Sequence, residues 1–164
     1  MKKVLDAYAR ALKVIMTMLM AFMLLPVTIQ ILSRYTGLIP RYIWTEEVAR
    51  FCFVWIIMTG AMIAVRDGTH FDVELMQRPK TARDRGFAQL VVHVAMMLMG
   101  TIFAWYGLQF ARFGAAQSSE MSGVNMLLIY ASFPLAGITW ILFLVEKIIE
   151  DFHLIISTET EQQP

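Results

Sequence analysis

Residues 51–65, 94–111 and 124–145 contain no Asp, Glu, Lys, Arg or His, and neither does the stretch 14–33. A helix that crosses the hydrocarbon core of a bilayer needs about 20 mostly apolar residues. The four stretches reach or approach that length, and a soluble chain of this size has no way to cover them. Only 16% of the 164 residues are charged, against roughly 25% in an ordinary soluble domain. The sequence therefore predicts an all-α membrane protein with four transmembrane helices, at about 14–33, 46–65, 87–111 and 125–147. One transmembrane domain is expected over 1–153, followed by a tail over 154–164 that reads as disordered from Ser157 onward. Pro26 and Pro134 fall inside the first and fourth spans, where a proline kinks a helix without ending it. Lysines precede the first apolar run as in a secretory signal, but the run is too long and no small-x-small cleavage site follows, so it reads as a retained anchor.

Orientation follows from the basic residues. Lys2, Lys3, Arg10, Lys13, Arg66, Arg78, Lys80, Arg83, Arg85 and Lys147 flank one side of the spans, and Arg34, Arg41, Arg50 and Arg112 the other. Cytoplasmic loops carry the excess of Lys and Arg, which predicts cytoplasmic N and C termini and a cytoplasmic loop over 66–86. Tyr35, Tyr42, Trp44, Trp105 and Tyr106 then form an outer aromatic belt. The segment 36–44 is short and aromatic, with Pro40 suited to a first helical turn, and is expected to lie in the outer interface as a short helix.

The second span opens on Tyr42-Ile-Trp-Thr-Glu-Glu-Val-Ala-Arg50. Thr45 is the expected N-cap, with Glu46 and Glu47 in the first turn where negative charge meets the positive helix end. Glu46 and Arg50 are spaced i,i+4 and Glu47 and Arg50 i,i+3, so either pair can form. Capping and snorkelling at the membrane edge account for the trio. A sharper reading makes it an ion-pair patch that docks another chain or closes against Arg34. Consecutive helix positions point about 100° apart, so the two carboxylates do not form a general acid/base dyad. Gly60 with Ala64 and Gly100 with Ala104 are small-xxx-small pairs that mark packing faces.

Other chemistry is excluded more readily. A net charge of +1 gives nucleic acid no basic face to follow. Cys52 is alone in an apolar run, and the 13 methionines are scattered as packing filler. His70 with Asp72 and Glu74 lacks the further spaced ligands a metal site wants. His93 lies within a span, but His70 and His153 sit in loop and tail, so haem has no second axial ligand. No cofactor, metal or catalytic residue is expected, and the chain does not read as an enzyme. Transporters that work alone carry ionisable groups at mid-bilayer, and many show inverted repeats. Here Gln30, Gln89 and His93 lie toward the ends of spans and no internal repeat is evident. The chain is expected to pack against a larger membrane protein that does the carrying. A small proton-coupled multidrug exporter and a redox-enzyme membrane anchor are the alternatives. The first normally carries a glutamate embedded in its first helix, and the second normally needs more than one intramembrane histidine.

Arg34-Tyr35, Trp44-Thr-Glu46-Glu47-Val-Ala-Arg50, Gly60-Ala61 and Arg66-Asp-Gly68-Thr-His70-Phe-Asp72-Val together resemble the small membrane subunit of the tripartite ATP-independent periplasmic (TRAP) transporters, the DctQ-like or Q component. The match is close over about 30–78; Pro134, Gly137 and the four-span layout extend it loosely. The resemblance implies a bacterial inner-membrane protein paired with a large M subunit, a separate chain that works as a sodium-driven elevator. It also implies a periplasmic binding protein that delivers an organic anion such as a dicarboxylate or sialic acid. Arg34, Trp44, Glu46, Glu47 and Arg50 would then serve partner docking at the periplasmic edge, and Gly68, His70 and Asp72 at the cytoplasmic edge, with lipid around the bundle.

Overall fold

The structure, a computed structural model, describes residues 2–36, 42–68, 82–120 and 122–160. The expected interfacial helix falls largely on 37–41, outside the described residues, as do His70 and Asp72. The chain folds as α1 (Lys2–Thr36), α2 (Ile43–Asp67), α3 (Ala82–Ala115), a single turn α4 (Leu127–Tyr130) and α5 (Ser132–Thr160). Four of these helices are long and apolar enough to cross a membrane. α2 and α5 lie side by side, α1 packs on α2, and α3 packs on α5. Asp6, Arg66 and Glu146 meet, so the start of α1, the end of α2 and the middle of α5 come together at one end of the bundle, here called the N-terminal end. The loop joining α3 to α4 and the start of α2 form the opposite, loop end.

Ala9 and Leu12 of α1, Met62 and Val65 of α2, and Ala136, Trp140, Phe143 and Leu144 of α5 make the core, with Met96, Met97 and Phe103 of α3 packed on it. Hydrocarbon gives apolar helices no reason to leave lipid for one another, so close backbone approach and side-chain interlocking must hold them. The seam between α3 and α5 shows this. A Cβ placed on Gly137 would lie 2.7 Å from the Gly100 carbonyl oxygen and closer still to the Ala104 amide, and one on Gly107 would lie 2.7 Å from the Pro134 nitrogen. The Gly100–Ala104 pair expected as a packing face is therefore half of a contact whose other half is Gly137. Gly60 differs, because a Cβ there would meet only the Met16 sulfur at 3.7 Å, an ordinary contact. Gly60→Ala should accordingly be neutral or stabilise by up to about 1 kcal/mol through helix propensity, read as an unchanged or raised unfolding midpoint in detergent.

The first span runs unbroken as expected, while two departures in the fourth have simple causes. α1 is continuous through Pro26. The fourth span instead breaks at Ala131 between α4 and α5, because Pro134 has no N–H to give the Tyr130 carbonyl four residues back. Ser132 Oγ satisfies the Ile129 carbonyl at 2.7 Å across that break. α5 then runs to Thr160, past Ser157, with no glycine or proline after Gly137 to stop it before Pro164. Along α1, side chains such as Met18, Leu24 and Leu25 are exposed, and only 6% of its most apolar window is buried within the chain.

Candidate functional site

At the loop end, α2 begins at Ile43 with Tyr42 as its N-cap, so Thr45 is not the cap but sits inside the first turn. Its hydroxyl donates back to the Tyr42 carbonyl at 2.6 Å, and the residue is buried. The side chains of Tyr42 and Trp44 stand about half exposed with ring centroids 6.1 Å apart. One turn on, Glu46 takes Arg50 as its partner at 3.1 Å, and both side chains are two-thirds exposed. An exposed i,i+4 pair contributes about 0.3–0.5 kcal/mol. Glu46→Ala should therefore move the unfolding free energy by no more than about 0.5 kcal/mol, measured by denaturant titration. Among the described residues no ion pair joins Arg34, exposed in the last turn of α1, to either glutamate.

Glu47 lies about 100° around the helix from Glu46 and goes the other way. It is 9% exposed, and its Oε2 has no hydrogen-bond partner among the described residues. Over it lies a pocket of about 360 Å³, walled by Arg50 and Phe51 of α2, Gln117 to Glu120 of the loop, and Met126 and Ile129. The loop is a small hairpin. Ser118 and Asn125 bridge, Ser119 N–H donates to the Val124 carbonyl at 2.8 Å, and Gly123 turns the chain with a positive φ of 68°. Asn125 braces both ends: its amide donates to the Ala115 carbonyl at the end of α3, and its Oδ1 accepts the Leu127 N–H that opens α4. Trp55 Nε1 donates to the Leu128 carbonyl at 2.8 Å, which holds α4 down on α2.

At the N-terminal end a second polar constellation ties three helices. Arg66 donates to Glu146 and, at 2.6 Å, to Asp6, while its guanidinium stands 5.5 Å over the Phe143 ring. Lys13 pairs with Asp67 at 2.9 Å, Lys147 donates to the Val65 carbonyl at 2.9 Å, and Tyr8 hydrogen-bonds Thr139 at 3.0 Å. Gly68 caps α2 in the left-handed conformation at φ 75°, where a side chain would be strained. Gly68 and Glu47 are at opposite ends of a helix, roughly 30 Å apart at 1.5 Å per residue, so the sequence-predicted residues form no single site.

The ion pairs seen among the described residues lie toward the two ends of the bundle, and the apolar core of Trp140, Phe143 and Leu144 reaches the Arg66 end. Residues 23–154 match the family described as tripartite ATP-independent periplasmic transporters, DctQ component. The chain belongs to the DctQ family. It is 24% identical over 148 residues to the sialic acid TRAP transporter small permease protein SiaQ of Vibrio cholerae, covering 90% of this chain and 85% of that one. It is 27% identical over 109 residues to the sialic acid TRAP transporter permease protein SiaT of Haemophilus influenzae, covering 66% of this chain. To the isethionate TRAP transporter permease protein DctMQ of Oleidesulfovibrio alaskensis it is 26% identical over 87 residues, 50% of this chain. The chain spans 18% of the length of that SiaT and 14% of that DctMQ. A DctQ component with four apolar helices is a multi-pass protein of the inner membrane and a part of a transport system.

Sequence reasoning read Arg66 as a topology charge and as part of the family pattern, not as an ion-pair partner, and passed over Glu146, Asp6 and Asn125. Asn125 had a signal, since Asn two residues ahead of an apolar helical run is an Asx-turn pattern. Arg66 and Glu146 stand 80 positions apart, and nothing in the spacing of one chain pairs them.

Proposed function

We propose that this chain is the small subunit of a binding-protein-dependent TRAP transporter, bracing a separate large M subunit and helping to dock the periplasmic binding protein. The large subunit would carry an organic anion, of the sialic acid or dicarboxylate kind, driven by sodium. The observation that carries the reading is the length of the relatives: a stretch similar to this chain makes up 18% and 14% of two longer TRAP permease proteins. A segment that occurs joined to a large permease is one that works beside it. The exposed apolar length of α1 supplies a face for such a partner. The excess of basic residues at the N-terminal end supports a cytoplasmic position for it and a periplasmic one for the Glu47 pocket. One transmembrane domain over 1–153 belongs to this proposal, as does partner docking through Arg34, Trp44, Glu46, Glu47, Arg50, Gly68, His70 and Asp72.

Reconstitution tests it. The chain co-expressed with its large permease should co-purify, and liposomes should take up the organic anion with sodium only when both subunits and the binding protein are present. Uptake by liposomes holding this chain alone would refute the reading.

A further inference from the structure

The pocket at the loop end holds a carboxylate with an unmet acceptor, which the exposed Glu46–Arg50 pair beside it does not explain. Glu47 is more than nine-tenths buried, lines the pocket, and leaves Oε2 without a hydrogen-bond partner among the described residues. A buried carboxylate oxygen left without a donor is costly, so such an atom normally has a partner in the working assembly. The cation nearest in sequence is already engaged, since the Arg50 guanidinium donates to Glu46 at 3.1 Å. Two carboxylates, Glu47 and Glu120, against that one guanidinium leave the pocket walls negative. At about 360 Å³ the space is worth about a dozen waters at ~30 Å³ each, room for a whole side chain and not merely a bridging water.

We propose that this pocket is the seat of a lysine or arginine side chain from a water-soluble docking protein, which closes a salt bridge on Glu47. The docking protein is the periplasmic binding protein of the functional reading above, on which this inference rests. The soluble partner fits better than the membrane subunit because the pocket is walled by the polar loop residues Gln117, Ser118 and Glu120, beyond the apolar length of α3. The wall is also built in advance: Asn125 and the Trp55–Leu128 bond fix the loop and α4, so little ordering is lost on docking. A partner cation that enters a buried carboxylate governs the off-rate, whereas one meeting the exposed Glu46–Arg50 pair governs little.

The test uses the two-subunit membrane complex in nanodiscs, titrated with its binding protein by biolayer interferometry. The wild-type complex is first compared with the large subunit alone. If this chain adds nothing to docking, the docking reading itself fails and the pocket proposal with it. Given that contribution, Glu47→Gln should weaken docking at least tenfold through a faster off-rate, with co-purification and melting temperature held. Glu46→Gln should stay within twofold, and Glu47→Asp, which keeps the charge, should fall between. Docking by Glu47→Gln equal to wild type would overturn the seat while leaving the wider reading in place. Loss of the large subunit from the Glu47→Gln complex would overturn it as well, since the pocket would then seat the membrane partner. An unchanged affinity with a raised melting temperature would make Glu47 an internal defect and overturn it too.

Discussion

Replacing Gly137 by leucine is expected to prise α3 from α5 and leave the chain unable to hold its bundle. The site has no slack: even one added carbon would sit 2.7 Å from the Gly100 carbonyl oxygen and 2.8 Å from the Phe103 carbonyl carbon. Both are backbone atoms of α3, so no side chain can rotate out of the way. Alanine alone should cost about 1–3 kcal/mol, the usual range for overpacking, and leucine more. The loss spreads because Phe103 stacks on Phe133 at 6.3 Å and packs at a tilt on Trp140 at 5.3 Å, contacts that depend on the same approach. Denaturant unfolding in detergent, followed by the fluorescence of Trp140 and its fellow tryptophans, measures the effect. Gly60→Ala serves as the control, since it adds the same carbon where there is room. A Gly137→Leu protein that unfolds at the wild-type midpoint would show that glycine contact does not hold this seam.

How much of this was legible beforehand depends on the range of the physics involved. The spans were legible because hydrocarbon tolerates no unpaired charge, and the charge-free runs around residues 20, 58, 102 and 135 satisfy that rule locally. The divergence of Glu46 and Glu47 was legible from the helical turn alone. Which of them is buried was not, because the cover comes from Met126, Ile129 and the loop, far along the chain. Gly100 and Ala104 announced a face but not Gly137 as its occupant. The start of α2 was misplaced at Thr45 because a threonine hydroxyl serves a helix either as cap acceptor or by bonding back to a carbonyl. Only the backbone at Tyr42, extended at ψ 112°, decides between them. Of the residues proposed for docking, Arg34, Trp44, Glu46, Glu47 and Arg50 lie toward one end, while Gly68 belongs to the other.

The second large effect is expected at Glu146. Its side chain is 8% exposed and that of Arg66 15%, so Glu146→Ala leaves a guanidinium buried with only the more exposed Asp6 to answer it. Removing one partner of a buried ion pair costs about 3–5 kcal/mol, because the remaining charge is still desolvated. The pair itself need not be stabilising by comparison with apolar packing of the same shape. Arg66→Met combined with Glu146→Leu should therefore recover most of the loss, and the two single changes should be strongly non-additive. Arg66 also holds Asp6, so the single variants should loosen the start of α1, where Lys13–Asp67 and Tyr8–Thr139 remain as weaker ties. Limited proteolysis near the N-terminus reads that loosening separately from global unfolding. If Glu146→Ala unfolds like wild type, or if the double variant is no better than the singles, the cluster is a bystander of apolar packing and the three-helix tie through Arg66 is wrong.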